Sequence, residues 1–249
     1  MRNSNLLSLF VGTIALVWAS SAAALEPRYT DTGQVVRWRN AEVVFVADDS
    51  LRALDPEALN ACRGALSAWA TAEHTPMMLA NEGSNLSPGF RESGPNENSV
   101  TYAPEGMSAA KGALAITILT FASDTGAIVD SDVVVNGATK KFAVLPKDSN
   151  GDKDDSPTEQ AQNNGANVYD LQNVLTHEFG HALGLPEDST EKRATMYAYS
   201  SPGETHKRSL FATDQQAAAI TYEGSFDASG ASAAAAGCGS EVARGWYSA

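Results

Sequence analysis

Three residues carry the chemistry that this sequence can be read for: His177, Glu178 and His181, in the segment HEFGHALGLPED at 177–188. The stretch from about Val168 to Leu183 is predicted to be helical, and residues four apart share a helix face, so both imidazoles can reach one ion. Imidazole nitrogens suit zinc, which in hydrolytic sites keeps one position open for water and lowers that water's pKa to about 7. Glu178, next to the first histidine, is placed to take a proton from the water and give it to a leaving amine. The whole chain has four histidines, so this spacing is an uncommon coincidence. The bland alternative is a buried helix with two hydrogen-bonded histidines. Gly184 argues against it. It falls three residues after His181, where glycine takes a positive φ without steric cost and ends a helix, and the turn can swing a third ligand back to the metal.

The elements that must position these residues follow from periodicity. VVRWRNAEVVFVA at 35–47 reads as a strand. Asp55 and Pro56 read as the start of a helix to about Glu73, with apolar residues at Leu59, Cys62, Leu66, Trp69 and Ala70. Residues 81–98 read as loop, 99–103 as a short strand, and 112–123 and 127–136 as a strand pair joined by the DTG turn. A polar, acidic stretch at 146–167 reads as a long loop, and a last helix runs from about Thr213 to Tyr222. The expected fold is α+β, one domain over 25–223, with a Gly/Ser/Ala-rich tail at 224–249.

Residues 1–24 read as a secretory signal peptide: Arg2, an apolar run from Leu6 to Trp18, then Ala22, Ala23 and Ala24. The product is expected to be secreted, extracellular or periplasmic, without stable membrane insertion. With 30 acidic against 17 basic residues the chain carries a net charge of −13, which repels nucleic acid and anionic lipid. In an exported protein Cys62 and Cys238 can pair or stay apart, and the sequence leaves that open.

HEFGHALGLPED resembles the H-E-x-x-H-x-x-G-x-x-H motif of the metzincins, and ATMYAY at 194–199 resembles their Met-turn, with Met196 beneath the metal. The matrixin family is the closest resemblance, and RWRNAEVVFV, LAITILTFASDTGAIVDSDVVVN, YDLQNVLTHEFGHALGL and SPGETHKRSLFATDQQAAAITY extend it over nearly all of 34–223. The resemblance implies a zinc-dependent endopeptidase, a protein that kept the fold but lost turnover being the alternative. It implies a metzincin-like domain in which a twisted mixed sheet with two helices stands above a small C-terminal subdomain with one helix. A monomer with one catalytic zinc is expected, binding a peptide extended along an edge strand at Gly112–Phe121. The family's third ligand position holds Glu187 here in place of histidine. A carboxylate can ligate zinc; register favours Glu187, and its neighbour Asp188 is the other candidate.

Other residues carry weaker expectations. Tyr197 and Tyr199 are candidates for the specificity pocket or an oxyanion donor. His206 is expected in a solvent-exposed loop and His74 at a helix end. Asp148, Asn150, Asp152 and Asp154, with Glu159 twelfth, echo a calcium loop, although Lys153 stands where glycine is needed; Asp132 matches a family position near a structural calcium. No propeptide is recognisable between the signal and the first strand.

Overall fold

The computed structural model describes residues 25–92, 96–110, 112–146, 167–226 and 242–248. Its frame is a mixed sheet of six strands in the order β2-β1-β3-β5-β4-β8. These are β1 (Glu42–Asp48), β2 (Met77–Gly83), β3 (Asn98–Ala103), β4 (Ala115–Ala122), β5 (Ile128–Asn136) and β8 (Val242–Ser248). β1 lies parallel to β2 and β3, and β3 parallel to β5, whereas β4 runs antiparallel to β5 and β8. A small parallel pair, β6 (Lys141–Ala143) with β7 (Val168–Asp170), stands apart from it.

The core forms where α2 (Ala58–Trp69) and α3 (Leu171–Ala182) pack on each other and on the sheet. β1 buries alternate residues, Val43, Phe45 and Ala47, as a strand with one covered face must. The α2 stripe buries Ala61, Cys62, Ala65, Leu66 and Trp69, and α3 adds Leu171, Val174, Leu175 and Phe179. Phe45 and Phe179 meet edge to face at 5.0 Å, tying sheet to helix. The mixed sheet, its two long helices and the C-terminal helix α4 (Ala212–Tyr222) match the expected architecture.

Several local readings differ. Strand β1 starts at Glu42, and the earlier part of the expected strand makes only the single bridges Tyr29↔Val35 and Arg37↔Ala127. A short helix α1 (Asp49–Leu54), capped by the Asp48 carboxylate accepting from Ser50 N at 2.9 Å, precedes Asp55. Its six residues are too short for a readable apolar stripe. Residues 81–83, expected in a loop, extend β2 alongside β1. The first turn of the expected active helix is strand β7. Within the segment expected to be a tail, 242–248 form β8 against β4, so β4 is not an edge strand among the described residues. The expected signal peptide lies outside the described residues.

Candidate metal centre

Helix α3 is held at both ends. Asp170 caps its start, accepting from Asn173 N at 2.8 Å, and is itself gripped by Arg208, with Nε at 2.7 Å and Nη2 at 2.5 Å. At the other end Gly184 takes φ +90°. Gly184 N donates to His181 O at 2.8 Å, and Leu185 N to Gly180 O at 3.0 Å, the paired bonds of a Schellman turn. A side chain at 184 would press into the Val36 carbonyl. Trp38 Nε1 donates to Ala182 O and Tyr222 Oη to Leu183 O, both at 2.9 Å, satisfying further carbonyls that the helix end leaves open.

On this anchored helix His177 and His181 place their rings 4.7 Å apart, and the turn returns Glu187 to them. One ligand atom from each of His177, His181 and Glu187 lies within 4.8 Å of the others. The imidazole tautomers follow from their partners. His177 Nδ1 lies 2.7 Å from Thr195 O and His181 Nδ1 2.9 Å from Leu185 O. A carbonyl only accepts, so each Nδ1 carries the proton and each Nε2 keeps its lone pair for a metal. Burial pushes the His177 imidazolium well below its ordinary range, and burial pushes His181 down to about 4, so both rings are neutral at neutral pH. Among the described residues His177 Nε2 is buried without a hydrogen-bond partner, a costly state for a lone pair that a cation relieves. Partial burial raises the Glu187 carboxyl, opposed by the nearby Lys207 charge. Two neutral imidazoles and a carboxylate are a zinc-type donor set, and the residues fit that ion.

Asp188 points elsewhere. Its Oδ1 accepts from Thr190 N and Thr190 Oγ1, both at 2.7 Å, and from Glu191 N at 3.0 Å, so it caps the following turn. Its own N donates to Met196 O at 2.7 Å. Glu178, fully buried on α3, accepts from Thr117 Oγ1 at 2.5 Å through Oε2, which ties it to β4.

Beneath the histidines, Met196 is wholly buried and its sulfur lies where a Cβ on Gly180 would be; Trp69 closes the same space. Glycine at 180 is therefore needed for the loop to approach the helix. Asp214 pins this loop, accepting from Thr195 N at 2.7 Å, Met196 N at 3.0 Å and Phe211 N at 2.8 Å. Lys207, also fully buried, donates to Tyr197 O at 2.6 Å, Tyr199 O at 2.9 Å and Ser200 Oγ at 2.8 Å. Burial lowers its ammonium to about 8 despite the neighbouring Glu204 and Asp214. Thr117, Asp214 and Lys207 were not singled out from sequence. Asp214 has one available signal, an acidic residue in the first turn of a predicted helix.

The remaining candidates are scattered. His206 is not solvent-exposed as expected but largely buried, its Nδ1 3.7 Å from Glu204 Oε1 and outside the ligand cluster. Tyr197 and Tyr199 pack edge to face at 5.8 Å, with Tyr199 74% exposed. His74 follows α2 at φ 65°. Both oxygens of Asp132 are engaged. Oδ1 accepts from Ser99 N at 3.0 Å and Ser99 Oγ at 2.5 Å, and Oδ2 from Gly89 N at 2.7 Å, so it staples the loop before β3. Asp148, Asn150, Asp152 and Asp154 lie outside the described residues, as does Cys238. Cys62 is a buried core residue with no disulfide among the described residues, and burial pushes its thiol up to about 12.

No described helix is long and apolar enough to cross a membrane. No curated protein matches the chain. Residues 107–223, from ahead of β4 through α4, match the family model for matrixins, which are zinc metalloendopeptidases.

Proposed function

We propose, from the premise that residues 107–223 are a matrixin domain, that this protein is an exported zinc endopeptidase with His177, His181 and Glu187 as metal ligands and Glu178 as general base. The observation that carries the assignment is the convergence of the three ligand atoms within 4.8 Å, on the helix that also bears Glu178. Zinc held there supplies a Lewis acid and a water of lowered pKa.

The chain's own residues do the rest. The carbonyls of Thr195 and Leu185 hold the two imidazoles in the tautomer that presents Nε2. Thr117 fixes the orientation of the Glu178 carboxylate, which takes the proton of the attacking water and returns it to the leaving amine. Glu187 brings one negative charge to a doubly charged ion. With zinc in place, this charge would leave a water on the ion less acidic than a third neutral imidazole would. The substrate is a peptide, and β4 reaches the site through Thr117, which touches Glu178.

The test is metal analysis of the mature chain followed by peptide hydrolysis. One zinc per chain is expected, lost in His177→Ala. Glu178→Gln should keep the zinc and lose roughly 10²–10⁴-fold in kcat. A folded chain that takes up no zinc, or a Glu178→Gln variant as active as the wild type, refutes the proposal. Zinc uptake without hydrolysis of any peptide would favour the fold-retaining, non-catalytic alternative.

A further inference from the structure

A strand has two hydrogen-bonding edges, and each edge serves one neighbour at a time. One edge of β4 is committed to β5. The other is paired antiparallel with β8 without interruption, from Ile116↔Ser248 to Ala122↔Val242. The β8 partner belongs to the same chain, attached through residues 227–241. The pairing runs directly beside the proposed proton-transfer group, because Thr117 both pairs with Tyr247 and donates to Glu178. Strand β8 also contacts α3, the helix that bears His177, Glu178 and His181.

We infer that residues 242–248 are a built-in occupant of the peptide-docking edge of β4, and that substrate binds there only when this strand leaves. The inference rests on the endopeptidase reading for its consequence, but not for the docking itself. An extended peptide adding to the sheet needs the outward N–H and C=O groups of β4, the same set that β8 consumes. Tethering sets the competition. A short tether gives an attached strand an effective concentration on the order of millimolar, so a segment of roughly 0.1 mM affinity raises the apparent KM about tenfold. Saturating substrate displaces it, so kcat stays unchanged.

The experiment uses the full mature chain with a specific-protease recognition sequence placed within residues 227–241, assayed uncut and cut. A second full-length variant carries Gly245→Pro with Trp246→Pro. Neighbouring residues of a strand alternate in the direction of their N–H, so one of these two prolines removes a donor facing β4 whichever phase applies. Three readouts are taken: amide hydrogen exchange over Ile116–Phe121, kinetics on a fluorogenic peptide, and binding of a labelled synthetic peptide of residues 241–249. The expected result is protected β4 amides in the intact chain and loss of protection in the double-proline chain. KM should be about tenfold lower after cutting and in that variant, and the synthetic peptide added back should compete with substrate. Equal KM before and after cutting, with hydrolysis normal, overturns the inference and leaves the endopeptidase reading standing. Exchange over β4 that the prolines do not alter also overturns it. A cut chain that binds zinc and the synthetic peptide but hydrolyses nothing supports the docking and refutes the endopeptidase reading.

Discussion

Replacing Asp214 should damage both the fold and the metal centre, and the size of the damage can be worked out from its three acceptor bonds. The carboxylate is wholly buried and receives Thr195 N and Phe211 N on Oδ2 and Met196 N on Oδ1. In Asp214→Asn the amide oxygen best takes the Oδ2 position, leaving Thr195 and Phe211 paired and setting its NH₂ against Met196 N–H. The lost charge-assisted bond costs about 1.5–3 kcal/mol, partly offset because burial already disfavours the charged carboxylate, so the net expectation is about 1–2 kcal/mol. Asp214→Ala leaves all three donors without the acceptor and should cost about 3–5 kcal/mol. The effect reaches the metal because the Thr195 peptide that Asp214 holds also orients His177. Zinc affinity in Asp214→Ala should fall roughly 10–100-fold, the usual effect of losing an orienting partner. Urea unfolding of the metal-free chain at constant m, with zinc affinity from chelator competition, measures both quantities. An alanine variant within about 0.5 kcal/mol of the wild type, the scatter of neutral surface changes, would refute the reasoning.

Glu187→Ala should weaken zinc binding at least a hundredfold, beyond the usual effect of an orienting residue, with little change in metal-free stability. Asp188→Ala should cost about 1–3 kcal/mol through its turn and bind zinc nearly normally; the reverse pattern in chelator competition would exchange their roles. The buried Lys207 loses its proton near pH 8 in the folded chain but near 10.5 when unfolded. Between those values the unfolded chain binds more protons, so stability should rise with pH by up to about 3 kcal/mol. Lys207→Met should abolish that rise in urea titrations run from pH 7.5 to 10.5; a rise of equal size in the variant would rule out Lys207 as its source. Gly184→Ala forces a side chain to φ +90° and into the Val36 carbonyl, and should destabilise by about 2–4 kcal/mol. Thermal unfolding of this variant at the wild-type midpoint would show that the turn is not constrained as described.

The parts of the site legible in the sequence were those whose geometry is local. The His177–His181 spacing and the stop at Gly184 depend on helix periodicity and backbone sterics within a few residues, and both stand in the structure as read. Register favours Glu187 over its neighbour Asp188, but does not decide between them, because both directions are available to a chain leaving a turn. The choice depends on where Thr190 and Glu191 place their amides. Asp214 and Lys207 act on the loop at 195–200 across separations that no periodicity encodes. Strand β8 was hidden by its surroundings, since the Gly- and Ala-rich stretch before it suggests a loose tail and its pairing partner lies more than a hundred residues earlier. Strand β2 was missed because MMLANEG buries little, with only Met78 fully covered, so the alternation that marks a half-buried strand is faint.

The turn after α3 does two jobs with one residue. Leu185, whose amide closes the helix end, also accepts a hydrogen bond from His181 Nδ1 on its carbonyl. Fraying of the last helical turn and rotation of that imidazole are thus a single event. An ion that demands the imidazole in one orientation favours the unfrayed end, and by reciprocity whatever firms that end tightens the grip on the ion. Metal loading in this protein should accordingly be felt as rigidity well beyond the ligands, at Trp38 and Tyr222, whose bonds close the same helix terminus.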